Sequence, residues 1–295
     1  MRYPAQASGS TIPPMRRRDF VAALAATGAT CAQTGKQTAA TGRLKQCVTR
    51  FVFDPKMPFE DMCREAARVG CVGFDLVAPQ DWPTLKKYGL IPTMSPTGGV
   101  TIEDGLIHKE KHAAFLPLLS AAIDECASAG CPNIITVGGQ RRGMSYAEGA
   151  DNAAAFLNRI KAHAEDKGVN ICMEVMNSKY DRIDQICDHI DWGVDVCKRV
   201  NSPRVKLLFD IYHMQIMDGD ICRHIQQNFQ WIAHFHTGGV PGRHEIDDTQ
   251  ELNYRFVAKT IADLGYTGYI AHEFRPSPGR DPVESLKQAI AIMTV

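Results

Sequence analysis

The sequence predicts an α/β protein that folds as a single (β/α)8 TIM barrel, and three observations lead to this fold class. From residue 47 onwards, apolar runs that are typical of strands alternate eight times with helical patterns. Such an alternation indicates a parallel sheet that closes into a barrel. Several strands are almost continuously apolar, as expected when both of their faces are covered. The length of 295 residues suits one large domain of this kind.

The predicted strands and helices follow one another in regular order. The eight strands are CVTRFVF, CVGFDLV, IPTMSPT, NIITVGG, NICMEVM, VKLLFDIYH, WIAHFHTGG and YIAHEFRP. Amphipathic helical segments lie between them, among them PFEDMCREAARVG, HKEKHAAFLPLLSAAIDECASAG, AAAFLNRIKAHAEDKG and YRFVAKTIADLG. Each of these segments ends at or near a glycine, which favours the termination of a helix. No low-complexity linker follows residue 45, so we expect one barrel domain over residues 44–295.

Residues 1–43 differ in composition from the barrel and predict an export signal followed by a flexible linker. A polar leader precedes RRRDF and the short, weakly apolar run FVAALAATGATCA. Arg17, Arg18 and Phe20 match the twin-arginine pattern, and the small residues that follow offer a cleavage site. We therefore expect recognition by the twin-arginine export machinery and a periplasmic or exported protein. The alternative is a disordered basic leader on a cytoplasmic enzyme.

The balance of charge restricts the kinds of partner. Lys and Arg together number 33, as do Asp and Glu, so the formal net charge is zero. The sequence therefore predicts no basic field for nucleic acid or for an anionic membrane. The apolar run near the N-terminus is too short to span a bilayer, so we expect no integral membrane segment. A small, weakly charged molecule is the expected substrate.

Four side chains that can bind metal lie near the carboxyl ends of the last four predicted strands: Glu174, Asp210, His236 and Glu273. Barrels of this type build their sites at that rim. Carboxylate and imidazole ligands suit one divalent ion, which could be Mn²⁺, Mg²⁺, Co²⁺ or Zn²⁺. His234 points the same way in the pleat and is the rival ligand. We prefer His236 because it lies nearer the end of the strand, where barrel sites form.

The two glutamates of this set are also the predicted catalytic residues. A divalent ion that chelates neighbouring oxygens of a hydroxy-carbonyl compound polarises the carbonyl and stabilises an enediolate. Glu174 and Glu273 come from separated points of the rim and could move the proton between the two carbons. Taken singly, a glutamate at a strand end is more often a helix cap or an exposed ion-pair partner. Their position at one end of the barrel, with two further ligands, favours catalysis.

At these residues the chain resembles the xylose isomerase-like TIM barrels, and more closely their hydroxypyruvate isomerase-like branch. The resemblance covers about residues 44–295 and rests on the blocks KLLFDIYHMQIMDGD, HFHTGGVPGRHEID and GYTGYIAHEFRP. It implies the same four metal ligands on strands five to eight. It also implies substrate contacts from the His three residues after the Asp and from an Arg after strand seven, here His213 and Arg243. Barrels of this family often pair, so a homodimer is a further expectation.

The chemistry of these residue types agrees with the implied substrate contacts. Arg243 offers a planar fork for a carboxylate or a pair of hydroxyls, in a glycine-rich loop that lets the chain pass close to a ligand. An ordinary surface arginine is the alternative interpretation. His213 could donate to a substrate oxygen or simply cap the end of the strand. Glu245 and Asn177 are weaker candidates for residues that orient the metal ligands.

The resemblance implies a metal-dependent isomerase of a small hydroxy-carbonyl compound, with hydroxypyruvate to tartronate semialdehyde as the best single expectation. A ketose 3-epimerase or another sugar isomerase is the alternative. Such epimerases usually carry a further Glu about two turns of chain after the strand-five Glu, where this sequence has Tyr180. The stretch EVMN also differs from the EPIN that is typical of hydroxypyruvate isomerases. These departures bear on the identity of the substrate and not on the reaction class.

Two hypotheses from other functional classes remain. An endonuclease of the same barrel type would need several metal ions and a basic groove, which the net charge of zero disfavours. A non-catalytic exported barrel that binds a carbohydrate would be expected to have lost one or more of the metal ligands. All four ligands are present, which favours an enzyme.

The ten cysteines show no paired metal-binding spacing such as CxxC. Several of them lie in strand or helix patterns, where cysteine acts as a small apolar residue. We therefore expect most of them in the core. Cys63 with Cys71, or Cys126 with Cys131, could link a helix to the following strand, and the sequence leaves open whether these disulfides form.

Overall fold

A computed structural model describes residues 42–295 of the chain. Within this range the eight strands are β1 Lys45–Val48, β2 Gly73–Asp75, β3 Ile91–Met94, β4 Asn133–Thr136, β5 Asn170–Val175, β6 Val205–Asp210, β7 Ile232–Thr237 and β8 Tyr269–His272. All pairings between them are parallel, in the order β3-β2-β1-β8-β7-β6-β5-β4. A bridge between Ser95 and Ile134 nearly closes the barrel. The predicted (β/α)8 barrel is confirmed, whereas the predicted export signal lies outside the described residues.

Helices surround this sheet in the described part of the chain: α1 Phe59–Val69, α2 Trp82–Lys87, α3 His112–Ala129, α4 Tyr146–Lys167, α5 Ile190–Val200, α6 Ile211–Met217, α7 Ile221–Asn228, α8 Tyr254–Asp263 and α9 Pro282–Met293. Two short helices, α6 and α7, connect β6 to β7, so this connection is more elaborate than the single predicted helix of a repeating unit. Among residues 42–295, no helix combines the length and the apolar character needed to cross a membrane.

The ends of several helices are set by residues that are visible in the sequence. The hydroxyl of Ser145 accepts a hydrogen bond from a backbone N–H in the first turn of α4, and the carboxylate of Asp281 accepts two at the start of α9. These caps satisfy N–H groups that have no partner within the helix. Helices α1, α3 and α4 end at Gly70, Gly130 and Gly168, whose φ angles are 105°, 73° and 71°. Glycine adopts this left-handed conformation at little cost.

The alternation of side chains along the strands decides which residues face the inside of the barrel. A small buried cluster of Met94, Ile135, Cys172 and Leu208 is separate from the large core between the sheet and the helices. Because every second side chain of a strand points the same way, Glu174 shares the face of Cys172, and Asp210 shares that of Leu208. The polar site therefore lies one layer of side chains above this small apolar cluster, at the carboxyl end of the strands.

Nine cysteines fall within the described residues, and all nine are free thiols. Eight of them are buried, which confirms the expectation that most belong to the core. Neither Cys63 with Cys71 nor Cys126 with Cys131 forms a disulfide, so the possibility of a covalent link between helix and strand is not realised at either place.

Candidate active site

Four buried side chains converge at the carboxyl end of β5 to β8. The structure brings together one ligand atom from each of Glu174, Asp210, His236 and Glu273, and these atoms all lie within 4.8 Å of one another. Glu174 belongs to β5, Asp210 ends β6, His236 lies in β7, and Glu273 follows β8 directly. Direct pairing of Asp210 with His236 in the sheet holds two of the four in register.

The ring of His236 is oriented by Asp75, a residue that the sequence analysis did not select. Nε2 of His236 lies 3.0 Å from Oδ2 of Asp75, which assigns a ring proton to Nε2. Nδ1 then faces Glu273 Oε2 at 2.7 Å and Glu174 Oε1 at 3.9 Å. The contact with Glu273 does not have hydrogen-bond geometry, so Nδ1 has no partner among residues 42–295. A histidine anchored by a carboxylate through one nitrogen commonly binds metal through the other.

His234, the rival ligand, lies on the same face of β7 but outside the group of four. Its Nε2 lies 2.6 Å from Asp75 Oδ2, yet neither of its ring nitrogens has a hydrogen bond of good geometry among the described residues. Its close neighbours that could bind metal are Cys47 and Asp75. The side chain that meets both glutamates is that of His236.

Arg243, in the loop after β7, bridges two carboxylates of the site. Its Nη2 donates to Asp210 Oδ2 at 2.6 Å and also to the carboxylate of Glu273. Its φ angle of 58° places it in the left-handed region, which is uncommon for residues other than glycine. A strained backbone that persists at such a place is typical of a functional loop. The predicted substrate-binding arginine therefore also neutralises part of the charge on the predicted metal ligands.

His213 lies beside Arg243 in the first turn of α6. Its Nδ1 is 2.6 Å from the side-chain nitrogen of Asn177, and its Nε2 is 2.8 Å from Nη1 of Arg243. Burial lowers the pKa of His213 to about 4, so the ring is neutral at pH 7 and has only one nitrogen that can accept a hydrogen bond. Two donors thus compete for one acceptor. A substrate oxygen near this pair would accept a hydrogen bond from the donor that is left without a partner.

Asn177 and Glu245, the two candidates for orienting the metal ligands, make their hydrogen bonds to other residues. Asn177, at the end of β5, holds His213 and not a metal ligand, and its amide oxygen accepts the N–H groups of two residues in the following loop. Glu245 accepts hydrogen bonds from Ser277 and Ser285. The expectation that Glu245 orients the metal ligands is therefore corrected: its carboxylate accepts from one serine in the loop after β8 and from one serine in α9, and so stabilises the connection between them.

The surroundings drive the pKa values of the two glutamates apart. Burial, and then repulsion from Glu273, raises the pKa of Glu174 to about 8. Burial also acts against charge on Glu273, but Arg243 and His236 outweigh it and hold the pKa of Glu273 at about 2. In the metal-free site at neutral pH, Glu174 is therefore protonated and Glu273 is ionised. A pair of this kind can supply an acid and a base to the same reaction.

The four residues fit a divalent cation. Three carboxylates and one imidazole form a donor set for Mn²⁺, Mg²⁺, Co²⁺ or Zn²⁺. Nδ1 of His236 is buried without a hydrogen-bond partner in the described part of the chain and faces the carboxylates. Burial first, and then repulsion from the neighbouring carboxylates, raises the pKa of Glu174 despite the nearby His236 and Arg243. Additional positive charge at this point would stabilise the ionised carboxylates.

A cavity of about 240 Å³ opens onto the site. It is lined by Glu174, Glu273, His213, Arg243 and Arg182, and by apolar side chains that include Leu76, Ile135, Val137 and Met176. A second cavity, of about 840 Å³, lies beside the first and shares Phe51 with it, but none of the four predicted metal ligands lines it. The smaller cavity is thus the one that the two predicted catalytic glutamates line, and its size suits a small molecule.

Curated proteins that resemble this chain include several isomerases. A segment of 129 residues is 36% identical to 2-oxo-tetronate isomerase of Cupriavidus necator and covers 44% of this chain and 47% of that protein. A match of 182 residues to the putative hydroxypyruvate isomerase of Homo sapiens has 28% identity and covers 60% and 65% of the two chains. The 2-oxo-tetronate isomerase of Haemophilus influenzae is 26% identical over 238 residues, covering 75% and 89%. The first two matches thus span less than two thirds of the relatives' lengths.

Solved structures share the architecture at low sequence identity. The AP endonuclease of family 2 from Brucella melitensis superposes with a TM-score of 0.74 at 23% identity, over 82% of this chain and 96% of that one. D-psicose 3-epimerase, crystallised in the presence of D-fructose, gives a TM-score of 0.68 at 18% identity, over 85% and 100%. These likenesses concern the fold.

The sequence also matches a family described as the xylose isomerase-like TIM barrel. The match extends over residues 83–294, from the second residue of α2 to the residue after α9. It covers more than half of the chain and includes all four of the residues that converge at the carboxyl end of the strands. The chain therefore belongs to the xylose isomerase-like TIM barrel family.

Proposed function

We propose that this protein is a metal-dependent isomerase of a small hydroxy-carbonyl compound, and that hydroxypyruvate, converted to tartronate semialdehyde, is its first candidate substrate. The observation that carries the proposal is the pair Glu174 and Glu273, which share one small cavity and have pKa values displaced in opposite directions. The names of the curated relatives support a substrate of the 2-oxo acid class. The same names support 2-oxo-tetronate as the second candidate substrate.

The proposed reaction moves one hydrogen between neighbouring carbons. Glu273, ionised at neutral pH, removes the proton from C3 of hydroxypyruvate, and the electron pair of that bond forms the enediolate. That proton passes from Glu273 to Glu174, whose raised pKa favours its protonation, and Glu174 delivers it to C2, so both carboxylates return to their starting state. The hydroxyl proton passes from O3 to O2, so the carbonyl ends at C3 and the atoms balance. A divalent cation held by the two glutamates, Asp210 and His236 would polarise the carbonyl and so make the carbon-bound proton more acidic.

The polar residues beside the glutamates would position the substrate. Arg243 and His213 lie 2.8 Å apart at the wall of the cavity and have more donors than acceptors between them. A substrate hydroxyl or carbonyl oxygen can accept from them, which aligns the two reacting carbons with the glutamates. Alignment of this kind supplies a large part of the rate enhancement in many enzymes. The apolar side chains on the other walls exclude water and strengthen these contacts.

The proposal is tested by following two signals from one reaction. Purified protein loaded with Mn²⁺, Mg²⁺, Co²⁺ or Zn²⁺ is incubated in D2O with hydroxypyruvate, 2-oxo-tetronate, D-fructose or D-psicose. We expect isomerisation of a 2-oxo acid together with deuterium uptake at the carbon next to the carbonyl. Interconversion of the two ketoses without turnover of either acid would replace the proposed substrate with a sugar. Binding without any exchange, whatever the metal, would rule out an isomerase.

A further inference from the structure

Arg182, in the loop between β5 and α5, is a cation that lines the active-site cavity and has no partner of opposite charge in the part of the chain that the structure describes. Within that described part, its guanidinium makes one hydrogen bond, from Nη1 to the backbone oxygen of Asp181 at 3.4 Å. Its Nε is buried and has no hydrogen-bond partner among residues 42–295. A buried donor left unpaired is destabilising, so a group that accepts from it would stabilise the site.

The carboxylate next to Arg182 in sequence does not neutralise it. Oδ2 of Asp181 accepts hydrogen bonds from Asn177 at 2.7 Å and from the hydroxyl of Tyr212 at 2.8 Å. These contacts hold Asp181 against the α6 side of the loop. The arrangement keeps the guanidinium of Arg182 available to a ligand in the cavity.

The other arginine of the cavity is already engaged. Arg243 donates to Asp210 and Glu273, so its charge is balanced by two carboxylates of the site. Arg182 is therefore the lining side chain whose positive charge is not matched within the described residues. An anionic substrate entering the cavity meets repulsion from the buried carboxylates and attraction from this one guanidinium.

We propose that Arg182 binds the carboxylate of the substrate and makes the site select 2-oxo acids over neutral ketoses. The inference rests on the proposed function, because it assigns one end of the substrate to a residue of that same cavity. In hydroxypyruvate the carboxylate is attached to C2, on the side opposite the C3 that loses its proton. A guanidinium binds a carboxylate through two parallel hydrogen bonds, and the apolar walls formed by Leu76, Ile135 and Val137 strengthen the contact.

Hydroxypyruvate and dihydroxyacetone form a matched pair of probes, because they differ only in a carboxylate that replaces a hydroxymethyl group. We expect Arg182→Gln to raise the KM for hydroxypyruvate at least tenfold while kcat changes less. Deuterium exchange into dihydroxyacetone should stay within twofold of the wild-type rate. Arg182→Lys, which keeps the charge and loses the planar fork, should give an intermediate KM. Lys179→Gln is the control, since Lys179 lies in the same loop but donates to the backbone of Ile216 at 2.8 Å.

Titration calorimetry of both probes with metal-loaded protein separates failure of this inference from failure of the proposed function. If the wild type binds hydroxypyruvate and Arg182→Gln binds it at least tenfold more weakly, with dihydroxyacetone unaffected, Arg182 is the carboxylate site even if no turnover occurs. An unchanged affinity in Arg182→Gln overturns the inference while leaving isomerase activity intact. Equal weakening for both probes, or no binding of hydroxypyruvate by the wild type, also overturns it.

Discussion

Oδ2 of Asp75 lies 3.0 Å from Nε2 of His236, and this contact turns the other ring nitrogen toward Glu174 and Glu273. Asp75 is the last residue of β2, and in the strand order of the sheet β1 and β8 lie between β2 and β7. The hydroxyl of Thr93 and the thiol of Cys47 contact its second oxygen. Asp75 is thus fixed by neighbouring strands while it fixes the only imidazole among the four predicted ligands.

We expect Asp75→Asn to weaken metal binding by ~10–100-fold, because loss of a carboxylate that anchors a histidine ligand has effects of that size. The amide has nearly the same shape, so the barrel should remain folded. Metal titration followed by calorimetry, with circular dichroism as a check on folding, measures the change. Thr93→Val is the matched control, since it removes a hydrogen bond to the other oxygen of Asp75 and leaves the contact with His236. Equal metal affinities in Asp75→Asn and wild type would show that Asp75 has no role in the site.

Asp210→Ala should remove the bound divalent ion and the activity while leaving the barrel folded. An anionic ligand of a single-ion site supplies much of its affinity. Asp210 also caps α6 by accepting the N–H groups of Tyr212 and His213, at 2.9 and 3.3 Å, so some local loss of stability is expected. Asp210→Asn keeps an oxygen for that cap and serves as the control. Full metal occupancy of Asp210→Ala by elemental analysis would mean that the ion is bound elsewhere.

The positions of the four predicted ligands could be predicted from local sequence pattern. The residues that hold these ligands in place could not. Strand periodicity and the shared rim of a parallel barrel place Glu174 and His236 on one inner face. The same signal, a charged residue at a strand end, was present at Asp75 in the segment GFD. Its pairing with His236 depends on the closure of the barrel across 161 residues of chain, which no local pattern encodes.

Loop residues were harder to interpret than strand residues, for a conformational reason. The sequence pointed to Arg243, but its contact with two carboxylates depends on a left-handed backbone angle of 58°. Arg182 lies in a loop without periodicity, so nothing in the sequence indicated that its guanidinium lines the cavity. Glu245 was a candidate for orienting the metal ligands, yet its hydrogen bonds run to Ser277 and Ser285.

Metal affinity should rise with pH between about 6 and 8. Burial and Glu273 raise the pKa of Glu174 to about 8 in the metal-free protein, so a proton must leave this group before it can bind a cation. Burial opposes a charge on His236, but Glu273 and Asp75 raise its pKa above the usual value, so its proton is displaced as well. Each displaced proton steepens the rise of affinity with pH by about tenfold per unit.

Calorimetry in buffers of different ionisation enthalpy counts the protons released. We expect one to two per ion near pH 7 and fewer above pH 8. The variant Glu174→Gln has no proton to lose at this position, so its count should fall by about one. A pH-independent affinity in the wild type would show that both side chains are already deprotonated in the metal-free site.

Export is a separate proposal that concerns residues outside the described range. Replacing Arg17 and Arg18 with Lys keeps the charge but removes the pair that the twin-arginine route recognises. We expect the precursor of this variant to stay inside the cell, with the mature wild-type chain appearing in the periplasm. Immunoblots of cell fractions compare the two. A variant that reaches the periplasm as well as the wild type would eliminate this route.

The most direct test of catalysis is Glu273→Gln. If Glu273 is the base that removes the carbon-bound proton, the amide cannot replace it, and the rate should fall by at least ~10²-fold. The fold should be nearly unchanged, because Gln retains an oxygen that can accept from Arg243, which now donates to this carboxylate. Metal content must be measured together with the rate, since an amide oxygen binds a cation more weakly than a carboxylate does.

Deuterium exchange distinguishes loss of the base from loss of the metal. In Glu273→Gln, a protein that still contains its ion and still binds hydroxypyruvate should show no substrate-dependent exchange at C3. Glu174→Gln is the matched variant: with Glu273 intact, it should still remove the C3 proton and so exchange it with solvent, while the return of hydrogen to C2 is slowed. Full exchange by metal-loaded Glu273→Gln would transfer the role of base to Glu174 or to another group of the cavity.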